Sequence, residues 1–259
     1  MSETTEVAQT NPDELLISSP PKIDNPFRDV QYGRIYDRLE PGQAINIAAF
    51  GNISIEIDDE NLGLERISLE NLQKGWERDK EAFIAHCNEL GIEVDPFEVY
   101  KYYQIQRKVF QALGQPIQTA IARTKRFDEM GNRVKLSETK GFAMCSEYAI
   151  LATYIAQKIG EPVHLVIGSA VETHDEDKWR EAHAYVWVDS LNAAFDCVLT
   201  SDDKEYPAIM KPVRPATLST LEEGKDVEAQ RIGSNFVRFY GMQAGGFGVE
   251  MDHSETHVE

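Results

Sequence analysis

The stretch that most limits what this chain can fold into is 141–160, Gly-Phe-Ala-Met-Cys-Ser-Glu-Tyr-Ala-Ile-Leu-Ala-Thr-Tyr-Ile-Ala-Gln-Lys-Ile-Gly. From Met144 its apolar positions fall at Tyr148, Leu151, Ala152, Ile155 and Ile159. That i, i+3, i+4 spacing predicts a helix with a buried face. Gly160 stands where a left-handed cap ends such a helix, and Pro162 blocks its continuation. A mostly buried helix needs packed layers around it, so the flanking segments must supply them. Cys145 falls in its first turn, where unpaired N–H groups and the helix dipole favour a thiolate. The plain alternative is that Cys145 is one more small buried residue.

The strands that cover this helix read most clearly on its C-terminal side. Val163–Ser169 forms one, the charged stretch 172–181 a solvated loop, and Ala182–Asp189 a second strand. The turn around Ser190-Leu-Asn192 leads to a third, Ala193–Leu199, antiparallel to the second. Upstream, Ile53, Ile55 and Ile57 alternate with Ser54, Glu56 and Asp58, predicting two short strands over 44–58 turned at Gly51-Asn52. Ser68 caps a helix with Leu69, Leu72, Trp76, Phe83, Cys87 and Leu90 on its buried stripe, ended by Gly91. Asp95-Pro96 starts another, about 97–113, with Gly114 at its end. Residues 117–140 read as irregular or a hairpin turned at 130–132. Beyond Thr200 the chain is less regular, with a short helix near 220–231 and an apolar run at 236–242. The ends are acidic: residues 1–19 and 243–259 each hold acids and no Lys or Arg. This divides the chain into a disordered leader at 1–25, one domain at 26–240 and a disordered tail at 241–259.

Composition closes off other classes. A net charge of −18 opposes broad nucleic-acid binding, and Arg123, Lys125, Arg126, Arg133 and Lys135 make only a small basic patch. No apolar run is long enough to span a membrane, and no secretory signal opens the chain. Three dispersed cysteines without a CxxC pair argue for a reducing, cytoplasmic compartment.

A cysteine nucleophile needs a base, and the base needs an orienting acceptor. His183 shares a strand face with Tyr185 and Trp187. Asp196 lies in an apolar run on the next strand, and burial without a partner would cost it several kcal/mol. An imidazole on the adjacent strand supplies that partner. His164 reads as a surface strand residue, and His174 and Trp179 either rim the substrate entrance or belong to a mobile solvated loop. Zinc ligation by Cys145, His183, Asp196 and Cys197 is disfavoured, because Asp196 and Cys197 would point to opposite strand faces.

Cys145-Ser-Glu-Tyr-Ala149, Gly160, Val163–Gly168, His183-Ala-Tyr-Val-Trp-Val188 and Phe195-Asp196 together resemble the transglutaminase-like superfamily, over about residues 140–200. The resemblance implies a Cys-His-Asp triad: Cys145 as nucleophile, His183 as general base and acid, Asp196 as orienter. One departure is Ala143, where the family usually has glycine; the nearest glycine is Gly141. The Cys145 N–H would serve the oxyanion, with Gln104 or Tyr103 as a candidate second donor. The expected fold is α+β, a papain/transglutaminase-like core with the nucleophile helix packed on an antiparallel sheet. The expected activity is thiol-dependent acyl transfer on an amide of a protein or peptide substrate: hydrolysis, or transglutamination, through a thioester, with no cofactor. The alternative is a catalytically inactive interaction module of the same fold.

Overall fold

The computed structural model describes residues 33–47, 53–115, 126–127, 129–131, 133–174, 177–199 and 208–242, with backbone alone at 172–174 and 177–179. The expected leader, most of the expected tail, the 51–52 turn and the side chains of His174 and Trp179 lie outside the described residues.

Helix signals in the sequence translate directly. Helix α1 runs Leu69–Glu89, with the Ser68 hydroxyl accepting the Asn71 N–H at 3.2 Å. Helix α2 runs Pro96–Leu113, capped by the Asp95 carboxylate accepting from Phe97 N–H at 2.9 Å. The cysteine helix, α3, spans Cys145–Lys158. It is buried on every side from Cys145 to Ala156, not on one face. Cys87 is core as expected, whereas Leu69 of the same predicted stripe is exposed.

The sheet departs from the expectation. Strands β1 (Arg34–Tyr36), β2 (Ala44–Asn46), β3 (Ser54–Glu56) and β4 (Arg133–Lys135) precede α3. After it come β5 (Val163–His174), β6 (Asp177–Val188), β7 (Ala193–Phe195), β8 (Ile209–Pro212), β9 (Val227–Arg231) and β10 (Val237–Gly241), with the short helix α4 (Leu218–Glu222) between β8 and β9. Each of β5 to β10 pairs antiparallel with its neighbour in sequence, and β10 pairs back onto β5. The result is a closed six-stranded antiparallel barrel, which corrects the open-sheet, papain-like α+β core expected from the sequence. Closure comes from β8, β9 and β10, where the sequence alone predicts irregular chain, a helix and an apolar run. It satisfies backbone edges that an open sheet would leave unpaired.

Three smaller corrections follow from the same pairing. Residues 172–174 and 177–181 are not a loop: β5 and β6 pair from Val163↔Val188 out to His174↔Asp177. Strand β7 stops at Phe195, so Asp196 follows the strand rather than lying within it. The 133–135 segment is no hairpin, because β4 pairs parallel with β3, Ile55 opposite Val134.

Alternation sorts the barrel's two faces. Leu165, Ile167, Ala184, Val186, Val188 and Phe195 join the core formed with the helices. Val166, Ala170, Tyr185, Trp187, Ala194, Met210, Val227, Ala229 and Tyr240 form a second, inward cluster with Leu221 of α4. The α3 helix packs against β5 and β6. The α2 helix packs on α3, its Phe110 ring 5.7 Å from Tyr148, and on the barrel, its Tyr102 ring 5.1 Å from Phe195. One continuous core joins the N-terminal elements to the barrel.

The barrel's seam is tight. Strand β5 gives one edge to β6, while its other edge is shared by β1 at Leu165–Ile167 and β10 at Ser169–Glu172. At the changeover sits Gly168, where a Cβ would stand 2.2 Å from the Gly241 carbonyl oxygen. Only glycine allows that approach.

Candidate active site

The site lies where the α3 N-terminus meets inward-facing residues of the barrel. Cys145 opens α3, and the fully buried Glu147 folds back so that its Oε2 accepts the Met144 N–H at 2.8 Å and the Ser146 hydroxyl at 3.1 Å. A carboxylate at this end suits the helix dipole and occupies donors of the first turn. The loop before α3 turns at Gly141, at φ +87°, and its N–H donates to the Leu113 carbonyl at 2.8 Å. The left-handed residue is therefore Gly141 itself, and Ala143 is fully buried with no need to be glycine.

His183 points inward from β6, opposite Gly168 of β5. Its Nε2 lies 2.8 Å from Asp196 Oδ2, and both side chains are buried. A carboxylate acceptor fixes the proton on Nε2 and leaves Nδ1 as the other ring nitrogen, and the Cys145 side chain is near enough to the ring to help it hold a proton. The three residues singled out in the sequence are thus brought together.

Asp196 is the hub. Its Oδ2 also accepts from Arg238 Nη1 at 3.0 Å and from the Tyr240 hydroxyl at 2.8 Å, and its Oδ1 accepts the Val198 N–H at 3.3 Å. Arg238 Nη1 and His183 Nε2 are 3.5 Å apart, two N–H groups converging on one oxygen. The second guanidinium nitrogen, Nη2, pairs with Glu181 Oε1, which also stands 3.8 Å from His183 Nδ1. Tyr185 stacks beside the imidazole at 6.3 Å and meets the Tyr240 ring at 4.7 Å.

These surroundings set the charge states. Burial opposes charging His183, but the Asp196 charge and hydrogen bond, helped by Cys145, overcome it and hold the imidazole well above its ordinary value; Arg238 pulls it back. Burial would raise the Asp196 carboxyl, but His183, Arg238 and Tyr240 hold it well below the usual carboxylate range. Burial raises the Cys87 thiol, and burial followed by the Asp196 charge raises that of Cys197.

Other candidates lie elsewhere. Gln104 lines a cleft of about 330 Å³ between α1 and α2, and Tyr103 packs on Phe83 of α1 at 5.8 Å, so both proposed oxyanion donors face α1. The amide that α2 sends toward this region is Gln106, buried, with Nε2 3.5 Å from the Cys197 carbonyl. His164 sits at the far end of β5, its two ring nitrogens each 2.9 Å from Asp37 and Asp189. Arg126 and Arg133 of the basic patch pair with Glu129 and Glu56. Among the described residues no group of three or more His, Cys, Asp or Glu has a metal-binding arrangement, and no helix is long and apolar enough to cross a membrane.

Arg238, Tyr240 and Glu181 are the residues that sequence reasoning missed. A signal existed: Arg238 interrupts the apolar run 236–242 two positions before Tyr240, the same pattern that singled out Asp196. Glu181 stands two residues before His183, hence on the same strand face. No family model, no curated protein and no solved structure matches this chain.

Proposed function

We propose that this protein is a cysteine-dependent acyl-transfer enzyme acting on an amide bond of a protein or peptide. The Cys145 thiol loses its proton to His183 Nδ1 and attacks the amide carbonyl. Collapse of the tetrahedral adduct breaks the C–N bond as the imidazolium returns that proton to the leaving amine, leaving a thioester. Water, deprotonated by the same imidazole, then releases the acid and frees the thiol. Hydrolysis is preferred over transfer to an amine because it needs no second substrate site. Asp196 holds Nε2–H and so leaves Nδ1 as the nitrogen that serves the sulfur in this mechanism. The transglutaminase-like resemblance supports the reading through the order of Cys145, His183 and Asp196 alone.

The observation that carries this proposal is a buried imidazole 2.8 Å from the buried Asp196 carboxylate, with the Cys145 side chain acting on the same ring. Iodoacetamide labelling followed by peptide mass spectrometry tests it. Cys145 is expected to label fastest of the three cysteines, since Cys87 and Cys197 have raised thiol pKa values, and His183→Ala is expected to slow it at least tenfold. Equal labelling of all three cysteines, or no effect of His183→Ala, would favour the non-catalytic interaction module instead.

A further inference from the structure

We infer that Arg238 and Glu181 form an outer ion pair that governs the triad: Arg238 positions Asp196 and limits the hold of that carboxylate on the imidazole proton, and Glu181 moderates Arg238 from the solvent side. The inference deepens the acyl-transfer reading and rests on it.

The geometry is a line of alternating charge. Glu181 pairs with Arg238 Nη2, Arg238 Nη1 lies 3.0 Å from Asp196 Oδ2, and the same oxygen lies 2.8 Å from His183 Nε2. A buried carboxylate tightens the hold of a facing imidazole on its proton, and a third charge on the same carboxylate oxygen tempers that hold. Arg238 stands 3.5 Å from His183 Nε2, close enough to oppose a charged imidazole while sharing its acceptor. Its guanidinium fork reaches both carboxylates from one rigid plane, which an ammonium group cannot do. Glu181 is the outer end: its side chain is 56% exposed, against 4% for that of Arg238. It therefore offsets the guanidinium charge without itself being desolvated.

The groups facing His183 come from four parts of the fold. Cys145 comes from α3, Asp196 from the end of β7, Glu181 and Tyr185 from β6, and Arg238 and Tyr240 from β10. Two of these charges, those of Arg238 and Glu181, act on the imidazole with opposite sign and both lie outside the Cys-His-Asp set. Removing them one at a time therefore moves the imidazole in opposite directions, which damage to packing would not do.

The test is an NMR titration of the His183 Cε1–H signal in the full chain carrying Cys145→Ala, which removes the thiol from the equilibrium. Glu181→Gln deletes a nearby negative charge and leaves Arg238 less balanced, so the His183 midpoint is expected to fall by about half a unit or more. Arg238→Gln is expected to raise it by about one unit. Arg238→Lys keeps the charge and is expected to hold the midpoint closer to the parent than Arg238→Gln does. Should Arg238→Gln fail to fold, Glu181→Gln and Arg238→Lys decide. A Glu181→Gln midpoint unchanged within 0.2 units, or a shift of the same sign in Glu181→Gln and Arg238→Gln, overturns the inference. Neither result touches the acyl-transfer reading, which stands or falls on Cys145 labelling in the chain with its cysteine intact.

Discussion

Replacing Asp196 by asparagine is the sharpest single perturbation of this site, because shape is kept while charge and acceptor capacity are lost. Three donors converge on Oδ2, from His183, Arg238 and Tyr240, and the Val198 N–H points at Oδ1. An amide with its oxygen toward the three donors turns its NH₂ toward the Val198 N–H; flipped, it faces all three with hydrogens. Either way a buried donor goes unpaired, at about 1–3 kcal/mol. Arg238 also loses its buried counter-charge, and Glu181, with which it still pairs, is half exposed. Together these place the loss of stability near 3–5 kcal/mol, the range for breaking one side of a buried ion pair. The imidazole loses the charge that held its proton, while burial and Arg238 still oppose protonation. A fall of two pKa units, about 2.7 kcal/mol, makes it about a hundredfold poorer at drawing the thiol proton. Urea unfolding at pH 7 and the iodoacetamide rate constant of Cys145 measure the two effects. If the variant unfolds within about 0.5 kcal/mol of wild type, or Cys145 alkylates within twofold of it, the account of Asp196 as hub is wrong.

Two further outcomes follow from the same geometry. Gly168→Ala puts a Cβ 2.2 Å from the Gly241 carbonyl oxygen at the barrel seam, opposite His183; a loss of about 2–3 kcal/mol and slower Cys145 labelling are expected, and a variant as stable as wild type would remove the case for a tight seam. His183 titrates at about 10 in the folded protein, against about 6.5 unfolded. A raised value means that its stabilisation is complete below pH 6.5 and is lost as pH climbs toward 10. Unfolding free energy should therefore drop by about 3–5 kcal/mol across that window, and denaturation of His183→Gln should lack the drop. Asp196 has the opposite sign: its lowered pKa contributes stability above about pH 4 that is lost on further acidification.

Read alone, the sequence determined the elements whose causes are local. Ser68, Asp95-Pro96, Gly114 and Gly160 delimit helices through cap geometry that needs only a few neighbouring residues. The hairpin of β6 and β7 follows from alternation and a short polar turn. The candidates Cys145, His183 and Asp196 stood out because each breaks a local pattern: a thiol at a helix start, an imidazole on an apolar strand and a carboxylate in an apolar run. Tertiary structure decided the rest. Val227-Glu-Ala-Gln-Arg and Ile209-Met-Lys-Pro are short and half polar, so nothing local marks them as strands; they become strands because each completes a neighbour's hydrogen bonds. Closure of the barrel is a property of the pairing of β10 with β5, across a sequence separation that no window of residues spans. That pairing brings Arg238 and Tyr240 to an aspartate more than forty residues earlier in the chain. A charged side chain announces that it needs a partner, but only the closed register names which one.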